Sequence, residues 1–313
     1  MKILITESGD FSPKAIAELQ KHFEVIPHDF TSLEELTASI ADVDVLFVRL
    51  RFKLTQEILE KAPKLQYILT ATTGLDHIDV DYFESRGGTV ISLKGEVDFL
   101  GSIPSTAEHT WALLLALLKK IPTAFVDVKE GNWNRDHFKG NNLRGKKIGI
   151  LGLGRVGKQV AHFAEAFGLE IGYFDVASQT NNYKSFSSPE ALFSWANIIS
   201  IHIPYNIENE NFVSENLLQH CTSNTVLLNT SRGNVWDEKA VANLLKQGKI
   251  KGIATDVLQD EFNKKQLKKN PLIDLATEEY NIIITPHIAG ATYESMAMTE
   301  EFIVSQFLKT TTL

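Results

Sequence analysis

The feature that most constrains this fold is an apolar run that leads directly into closely spaced glycines. Lys147–Leu151 has the composition of a buried strand, and Gly152, Gly154 and Gly157 follow it in a GxGxxG spacing. The first glycine permits a sharp turn, the second lets a pyrophosphate approach the backbone, and the third lets the next helix pack closely on its strand. We therefore predict a dinucleotide site at the amino end of that helix.

An acidic residue follows at the distance that a ribose contact requires. A second predicted strand, Glu170–Phe174, ends at Asp175, which lies 18 residues beyond Gly157. About 20 residues is usual for a carboxylate that accepts hydrogen bonds from the adenosine ribose. A 2′-phosphate would be repelled by this charge, and Val176–Ser178 includes no Arg to counter it. The pattern favours NAD over NADP, and the alternative is a solvated Asp at a strand end.

Length and composition predict a two-domain globular protein. A chain of 313 residues is long enough for two buried cores. Its 43% apolar and 22% charged residues are typical of globular proteins rather than of disordered ones. The longest apolar run, Trp111–Leu118, is far shorter than the ~20 residues of a spanning helix, and the amino terminus begins as a strand rather than as a signal peptide. We expect a cytoplasmic location.

Charge and cysteine content argue against two other classes of function. A net charge of −8 without a basic block disfavours nucleic-acid binding, which requires clustered cations. We interpret the four lysines within residues 264–269 as a solvated loop or helix face. Cys221 is the single cysteine, so neither an intramolecular disulfide nor a cysteine-based metal cluster can form. We predict no metal site.

Apolar runs alternate with helix-like segments along both parts of the chain, which predicts parallel strands joined by crossover helices. In the first hundred residues the predicted strands are Ile3–Thr6, Phe23–Ile26, Val45–Val48, Tyr67–Thr70 and Thr89–Ile91. From Lys147 onward they are Ile148–Leu151, Ile171–Phe174, Ile198–Ile203, Val226–Asn229, Gly252–Thr255 and Ile282–Thr285. These last six runs suit a doubly wound sheet.

Two helical segments lie outside this alternation. Pro104–Lys120 is so rich in apolar residues that one helix face cannot hold them, so we expect it to be buried nearly all round. It could link two domains or form a subunit contact, and it favours a dimer. Tyr293–Leu308 has no strand of its own and must pack on a unit already formed, for which we expect a return to the first domain.

Polar residues follow three of the predicted strands at the edge where ligands of open parallel sheets bind. They are Arg232 after the fourth run, Asp256 and Glu261 after the fifth, and His287 after the sixth. Each alone could be a surface charge, part of an acidic loop or a histidine satisfied within its own turn. Their coincidence on the glycine-turn edge favours a shared function.

Together these side chains match the needs of hydride transfer to a carbonyl. His287 can protonate the carbonyl oxygen as hydride arrives and can take that proton back in the oxidation direction. Glu261 can fix the tautomer of His287 and stabilise its imidazolium. Arg232 can pair with a substrate carboxylate, because its planar fork suits two oxygens. The substrate predicted by this set is a 2-oxo or 2-hydroxy acid.

The chain resembles the D-2-hydroxyacid dehydrogenase family, in the branch of phosphoglycerate dehydrogenases and glyoxylate/hydroxypyruvate reductases. The resemblance covers nearly the whole chain and rests on Gly-Leu-Gly-Arg-Val-Gly at 152–157, Asn-Thr-Ser-Arg-Gly at 229–233, Asp256-Val257 with Glu261, and Pro-His-Ile-Ala-Gly at 286–290. It implies that Arg232, Glu261 and His287 are the catalytic triad.

The resemblance also implies an α/β architecture and further contacts. A doubly wound parallel-sheet dinucleotide-binding domain would span 101–289, and a smaller flavodoxin-like α/β substrate-binding domain would combine 1–100 with 290–313. The implied NAD contacts are Gly152, Gly154, Arg155, Val156, Gly157, Asp175, His202, Pro204, Thr230, Ser231, Asp256, Thr106 and Gly290. The implied substrate contacts are Thr73, Gly74 and Arg232. The segment Thr106–His109 resembles the start of the family's long interdomain helix.

The sequence departs from the family pattern at three places. Phe262 stands where the family usually has proline after the catalytic Glu, and it begins a Lys-rich stretch. His202-Ile203-Pro204-Tyr205-Asn206 replaces a His-x-Pro-Leu-Thr segment, which keeps a nicotinamide-side contact but changes its neighbours. The chain also ends soon after its last helix, so we expect no amino-acid-binding regulatory domain.

The identity of the substrate stays open between two classes. Arg49, Arg51 and Lys53 follow the third predicted strand, where they could bind a second anionic group such as the phosphate of 3-phosphohydroxypyruvate. Otherwise they are solvated charges, and glyoxylate or hydroxypyruvate is the alternative substrate. Two other classes of protein rank behind the enzyme: an NAD(H)-sensing binding protein would not need Arg232, Glu261 and His287, and neither would a methyltransferase with a similar glycine turn.

Overall fold

The structure, a computed structural model, describes residues 1–177 and 181–311, apart from the side chain of Lys264. The chain divides into two compact units, the first formed by Met1–Ile103 with Ala291–Leu313 and the second by Pro104–Gly290. The boundaries expected from the sequence, after residues 100 and 289, fall slightly earlier. Assigning substrate binding to one unit and dinucleotide binding to the other stays a prediction.

The first unit is built on a parallel sheet of β1 (Lys2–Ile5), β2 (Glu24–Pro27), β3 (Val45–Val48), β4 (Tyr67–Thr70) and β5 (Thr89–Ile91). Its order, β2-β1-β3-β4-β5, is that of flavodoxin-like sheets. The helices are α1 (Pro13–Gln20), α2 (Leu33–Ser39), α3 (Gln56–Leu59), α4 (Val80–Ser85), α5 (Val97–Gly101) and, from the end of the chain, the terminal helix (Tyr293–Thr311). The five strands predicted from the sequence are confirmed to within one residue at each end.

Helices cover both faces of this sheet, which is why its strands read as continuous apolar runs. Every residue of β3 is buried. The terminal helix packs on α1, β4 and β5 and contributes Ile303, Val304 and Phe307 to one of the cores. The ring of Phe307 contacts those of Phe23 and Tyr67. The expected return of this helix to the first domain is confirmed.

The second unit holds a larger parallel sheet of β6 (Lys147–Leu151), β7 (Glu170–Phe174), β8 (Lys184–Ser185), β9 (Ile198–Ile201), β10 (Val226–Asn229), β11 (Gly252–Thr255) and β12 (Ile282–Ile284). Its order is β12-β11-β10-β9-β6-β7-β8. The helices are α6 (Ser105–Lys119), α7 (Ile121–Lys129), α8 (Arg155–Ala166), α9 (Pro189–Trp195), α10 (Glu215–Leu218), α11 (Glu238–Lys246), α12 (Lys264–Leu267) and α13 (Pro271–Ala276). The chain reverses its direction of travel across the sheet between β6 and β9, which is where such sheets bind ligands.

The predicted doubly wound sheet is confirmed, but two details of the strand prediction were wrong. The strand β8 was missed because it is two residues long and both are exposed, so no apolar run marks it. The strand β9 ends at Ile201 rather than Ile203, and its last hydrogen bond to β6 is donated by the His202 N–H to the Leu151 carbonyl oxygen.

The long apolar helix α6 packs against other elements of its own unit. It packs on α8 and the sheet, and the ring of Trp111 stacks on that of Phe167. Eight of its fifteen residues are buried, but Glu108, Ala112 and Lys119 along one side are exposed, so the helix is buried on most sides rather than nearly all round. The next helix, α7, has no buried residue among those the structure describes. Nowhere in the described ranges is a helix both long and apolar enough to cross a membrane.

Candidate active site

The glycine turn after β6 has the geometry that its spacing predicts. Gly152 has φ +91°, and a Cβ there would lie 3.0 Å from the backbone of His202. A Cβ at Gly157 would lie 2.2 Å from the carbonyl oxygen of Gly152, so α8 packs directly on the turn. A Cβ at Gly154 would meet no atom within 4 Å, which leaves this backbone open to a ligand at the first residues of α8, Arg155 and Val156.

Asp175 lies beside this turn at the end of β7. Its carboxylate accepts hydrogen bonds from the backbone N–H groups of Leu153, at 2.7 Å, and Ala177, at 2.8 Å. Each oxygen retains a lone pair that can accept from a ribose hydroxyl. Val176 is 95% exposed and Ser178 lies outside the described residues. The turn, the helix amino end and this carboxylate fit an adenine dinucleotide.

His202 begins the segment after β9 and faces the same turn. Its backbone N–H donates to the carbonyl oxygen of Leu151 at 2.8 Å, and its Nε2 lies 2.7 Å from the Ser200 hydroxyl. Burial, together with the nearby Arg155 guanidinium, lowers the pKa of His202 to about 3. The ring is therefore neutral, and its hydrogen bond with Ser200 holds it in place. Pro204 is exposed two residues later.

Arg232 extends from the turn after β10. The buried Asn229 fixes that turn: its amide donates to the Arg232 carbonyl oxygen at 3.0 Å, and its oxygen accepts from the N–H and hydroxyl of Ser231. The Arg232 guanidinium donates to the Ser231 carbonyl oxygen at 2.8 Å. A Cβ at Gly233 would lie 2.1 Å from the carbonyl carbon of Leu258, so the loop that carries Glu261 packs directly on this turn.

The structure brings Glu261 and His287 together from the ends of neighbouring strands. Oε1 of Glu261 forms a hydrogen bond with Nδ1 of His287, while Oε2 accepts from the Leu258 N–H at 3.2 Å. The side chains of His287 and Glu261 are 23% and 19% exposed. A carboxylate on Nδ1 directs the acceptor or donor function of the ring to Nε2. The pair thus has the geometry expected of an oriented acid/base.

The other predicted NAD contacts of this unit range from buried to exposed positions. The hydroxyl of Thr230 lies 2.7 Å from that of Thr110 on α6, and the Thr106 carbonyl oxygen accepts from the same Thr110 hydroxyl. Gly290 is exposed. Asp256 is buried and holds the backbone after Pro286 through hydrogen bonds described below.

Sequence reasoning missed a buried acid that supports the Glu261 loop. Glu238, at the start of α11, accepts a hydrogen bond from the Gln259 N–H at 2.8 Å and another from the Asn270 amide. Burial raises its pKa to about 7, against the opposing effect of these hydrogen bonds. The residue at the start of a helix looked like an ordinary first-turn acid, so nothing local signalled its contact with residue 259.

In the first unit, both predicted phosphate-binding arginines are engaged by carboxylates. The Arg49 guanidinium binds Glu300, with Nε 2.9 Å from Oε1, and also donates to the Gly9 carbonyl oxygen. That of Arg51 binds Asp29 at 2.9 Å, where both side chains are more than 40% exposed.

The backbone of the Arg49–Arg51 loop is also fixed by an acid. The N–H groups of both arginines donate to the buried carboxylate of Glu7, at 2.5 and 2.7 Å. The two arginines are therefore surrounded by carboxylates. No local sequence pattern indicates this arrangement. Thr73 is exposed after β4, and the Gly74 carbonyl oxygen accepts from the Thr72 hydroxyl.

The family comparison accounts for this arrangement. The model of the D-isomer specific 2-hydroxyacid dehydrogenase NAD binding domain matches residues 111–289, more than half of the chain. The chain belongs to this family. The match lies within the second unit.

Individual relatives and solved structures resemble the chain over nearly all of its length. It is 34% identical over 314 aligned residues to the D-3-phosphoglycerate dehydrogenase of Methanocaldococcus jannaschii. The alignment covers 99% of this chain and 57% of that protein. The chain thus spans a little over half the length of the curated relatives it matches. Among solved structures, the TT0316 protein of Thermus thermophilus is 27% identical with a TM-score of 0.85, covering 98% of this chain and 96% of that one.

A D-lactate dehydrogenase from Aquifex aeolicus, solved with NAD and lactic acid, is similar over a comparable range. It is 28% identical with a TM-score of 0.81, and the match covers 98% of this chain and 96% of that one. Both units therefore have the fold of this family.

Proposed function

We propose that this chain is an NAD-dependent oxidoreductase that transfers hydride between the nicotinamide and C2 of a D-2-hydroxy acid or 2-oxo acid. The observation that carries the proposal is the hydrogen-bonded Glu261–His287 pair at the strand-end edge that also holds Arg232. When bound, the nicotinamide supplies or accepts the hydride. Gly154, the amino end of α8 and Asp175 would hold the dinucleotide.

The remaining steps follow from the chain's own side chains. Nε2 of His287 gives a proton to the substrate oxygen during reduction and receives it during oxidation. Glu261 accepts a hydrogen bond from Nδ1 and so holds the ring in the orientation that presents Nε2 to the substrate. Arg232 pairs with the substrate carboxylate and orients the adjacent C2 carbonyl.

The relatives' names support 3-phosphoglycerate and 3-phosphohydroxypyruvate as the substrate pair. The half-exposed ion pair of Arg51 is compatible with this, because a phosphate can compete with Asp29 for its guanidinium. The pairing of Arg49 with the buried Glu300 favours the second candidate, a glyoxylate/hydroxypyruvate reductase, because it commits one of the two arginines elsewhere.

The test is NADH oxidation by the purified protein with 3-phosphohydroxypyruvate, hydroxypyruvate, glyoxylate, pyruvate and 2-oxoglutarate, with NADPH in parallel. We expect activity with NADH and a clear preference for one acid. A preference for 3-phosphohydroxypyruvate supports the first candidate, and a preference for glyoxylate or hydroxypyruvate supports the second. Tight NADH binding without turnover of any acid contradicts the enzyme proposal.

We further propose a homodimer with α7 at the interface. Ile121, Phe125, Val126 and Val128 on this helix are about half exposed or more, and Trp133 beyond it is 84% exposed. Monomers rarely leave such apolar patches uncovered, and a second copy of the same face would cover them. Sedimentation equilibrium should give twice the chain mass, and Phe125→Ser with Trp133→Ser should give the chain mass. A monomeric wild type contradicts the proposal.

A cytoplasmic location stays a prediction.

A further inference from the structure

The proposed acid/base has an unusual backbone. His287 has φ +57°, in the left-handed region that favours glycine. Conformations of this kind are strained and persist only where the surroundings enforce them. Its N–H donates to the carbonyl oxygens of Asp256, at 2.8 Å, and Thr285, at 3.1 Å. Some other group must therefore hold the loop closed around these bonds.

Asp256 is that group. Its carboxylate accepts from the N–H groups of Ile288, at 2.9 Å, and Ala289, at 2.7 Å, and from the Thr285 hydroxyl at 2.5 Å. The residue is 1% exposed. Burial alone would raise the pKa of Asp256, but these hydrogen bonds and that of His109 together lower it, so the side chain is a carboxylate. It binds the loop on both sides of His287.

A chain of donors reaches this carboxylate from α6. The Thr285 hydroxyl has one proton, which it gives to Asp256, so it accepts a hydrogen bond from Nε2 of His109 at 2.9 Å. The same Nε2 lies 3.4 Å from Oδ1 of Asp256. His109 therefore fixes the rotamer of Thr285, and Thr285 fixes the carboxylate.

We propose that Asp256, Thr285 and His109 are positioning residues that hold His287 in its left-handed conformation, and so keep its Nδ1 on Glu261. This rests on the proposed function, in which His287 is the acid/base. It goes beyond the cofactor contact that the sequence predicts for Asp256, because both carboxylate oxygens accept hydrogen bonds from the loop around His287.

A matched pair of variants at Thr285 tests the network. Thr285→Val keeps the shape but removes the hydroxyl, whereas Thr285→Ser keeps the hydroxyl. The spectroscopic readout is the downfield NMR signal of the His287 Nδ1–H in the protein without substrate, identified by its loss in Glu261→Gln. We expect Thr285→Ser to retain the signal and turnover. Thr285→Val should lose the signal and reduce kcat by about 10- to 100-fold, the equivalent of one hydrogen bond to a charged group.

NADH affinity separates the alternatives. The proposal requires the NADH Kd of Thr285→Val to stay within about threefold of wild type while kcat falls. A weaker NADH Kd with kcat retained would assign the network to the cofactor, and a lower melting temperature with kcat and the NMR signal retained would assign it to stability alone; either result overturns the proposal. His109→Leu, at the partly exposed end of the network, gives a milder version of the same test should Thr285→Val fold poorly.

Failure of the proposed function would look different. The wild type would then turn over none of the acids, yet the Nδ1–H signal would still be retained in Thr285→Ser and lost in Thr285→Val. Retention of the signal in both variants would overturn the positioning proposal, whatever the activity of the wild type.

Discussion

Each unit holds a carboxylate against a basic side chain near the end of a strand, and the two pairs have different surroundings. In the first unit, Glu300 is 1% exposed, and the Arg49–Glu300 pair is completed by the Ser12 N–H and the Gly9 carbonyl oxygen. In the second unit, the Glu261–His287 pair is about one-fifth exposed, and Nε2 of His287 has no hydrogen-bond partner among the described residues.

The difference is the one we expect between a pair with a structural role and a pair with a chemical one. Burial raises the pKa of Glu300, while the Ser12 N–H and Arg49 lower it. The charged form of Glu300 therefore depends on both of these partners. The Glu300 carboxylate is 1% exposed, so a small molecule cannot reach it, although the Arg49 side chain is 17% exposed. In the second pair, Nε2 of His287 is open to proton exchange with a small molecule. The predictions below test this distinction, beginning with the largest effect.

Removal of the His287 ring should abolish most of the turnover. We expect His287→Ala to reduce kcat by ~10²- to 10⁴-fold with NADH binding largely kept, since only proton transfer is lost. His287→Asn is the matched control for the backbone, because Asn tolerates positive φ. Steady-state kinetics and an NADH titration measure both. Near-normal turnover in both variants would remove His287 from the acid/base role.

Removal of Arg49 should act on stability instead. Arg49→Leu leaves the Glu300 carboxylate buried without its partner, which typically costs about 3–5 kcal/mol of unfolding free energy. Urea denaturation measures this, and Arg49→Leu combined with Glu300→Leu should recover part of the loss. If stability is kept and only substrate affinity falls, Arg49 is a ligand and the comparison is wrong.

Glu238 extends the comparison to a buried acid in the second unit. Its pKa is raised to about 7 in the folded protein, from an ordinary 4.5, so the native state binds more protons than the unfolded state between these values. The free energy of unfolding should therefore fall as the pH rises through this range, by about 3 kcal/mol in total. In Glu238→Gln this dependence should flatten; an unchanged pH profile of unfolding would show that Glu238 is not its source.

Arg51 sharpens the comparison within the first unit, because its ion pair is exposed. Under the phosphoglycerate proposal, Arg51→Ala should raise KM for 3-phosphohydroxypyruvate about 10- to 100-fold and leave KM for glyoxylate nearly unchanged. Unfolding free energy should change by less than about 1 kcal/mol. An equal loss with both acids argues against a phosphate contact.

Asp175 gives the smallest expected effect. Its carboxylate is partly exposed beside the glycine turn, so Asp175→Ala should narrow the preference for NADH over NADPH by about tenfold, the equivalent of one modest hydrogen bond. The ratio of kcat/KM with the two cofactors measures it. An unchanged ratio would limit Asp175 to its hydrogen bonds with Leu153 and Ala177.

Much of the second unit could be predicted because its signals are local. A turn that needs φ +91° at Gly152 and close approach at Gly157 leaves a glycine pattern, and strands buried on both faces leave apolar runs. The strand β8 left neither, since its two residues are exposed. The assignment of Arg49 to phosphate followed from its place after a strand, but its partner Glu300 lies 251 residues away in the sequence.

By itself, the sequence determined the two α/β units, the glycine turn and the polar residues that end the strands, because backbone conformation and hydrophobic periodicity depend on near neighbours. Only the tertiary structure decided which of those polar residues are buried. It also decided that Asp256 forms hydrogen bonds with the loop around His287 and that Glu300 forms an ion pair with Arg49. These outcomes depend on which distant side chains packing brings together, and in a low-dielectric interior each such partner determines whether a charge is held or left to react.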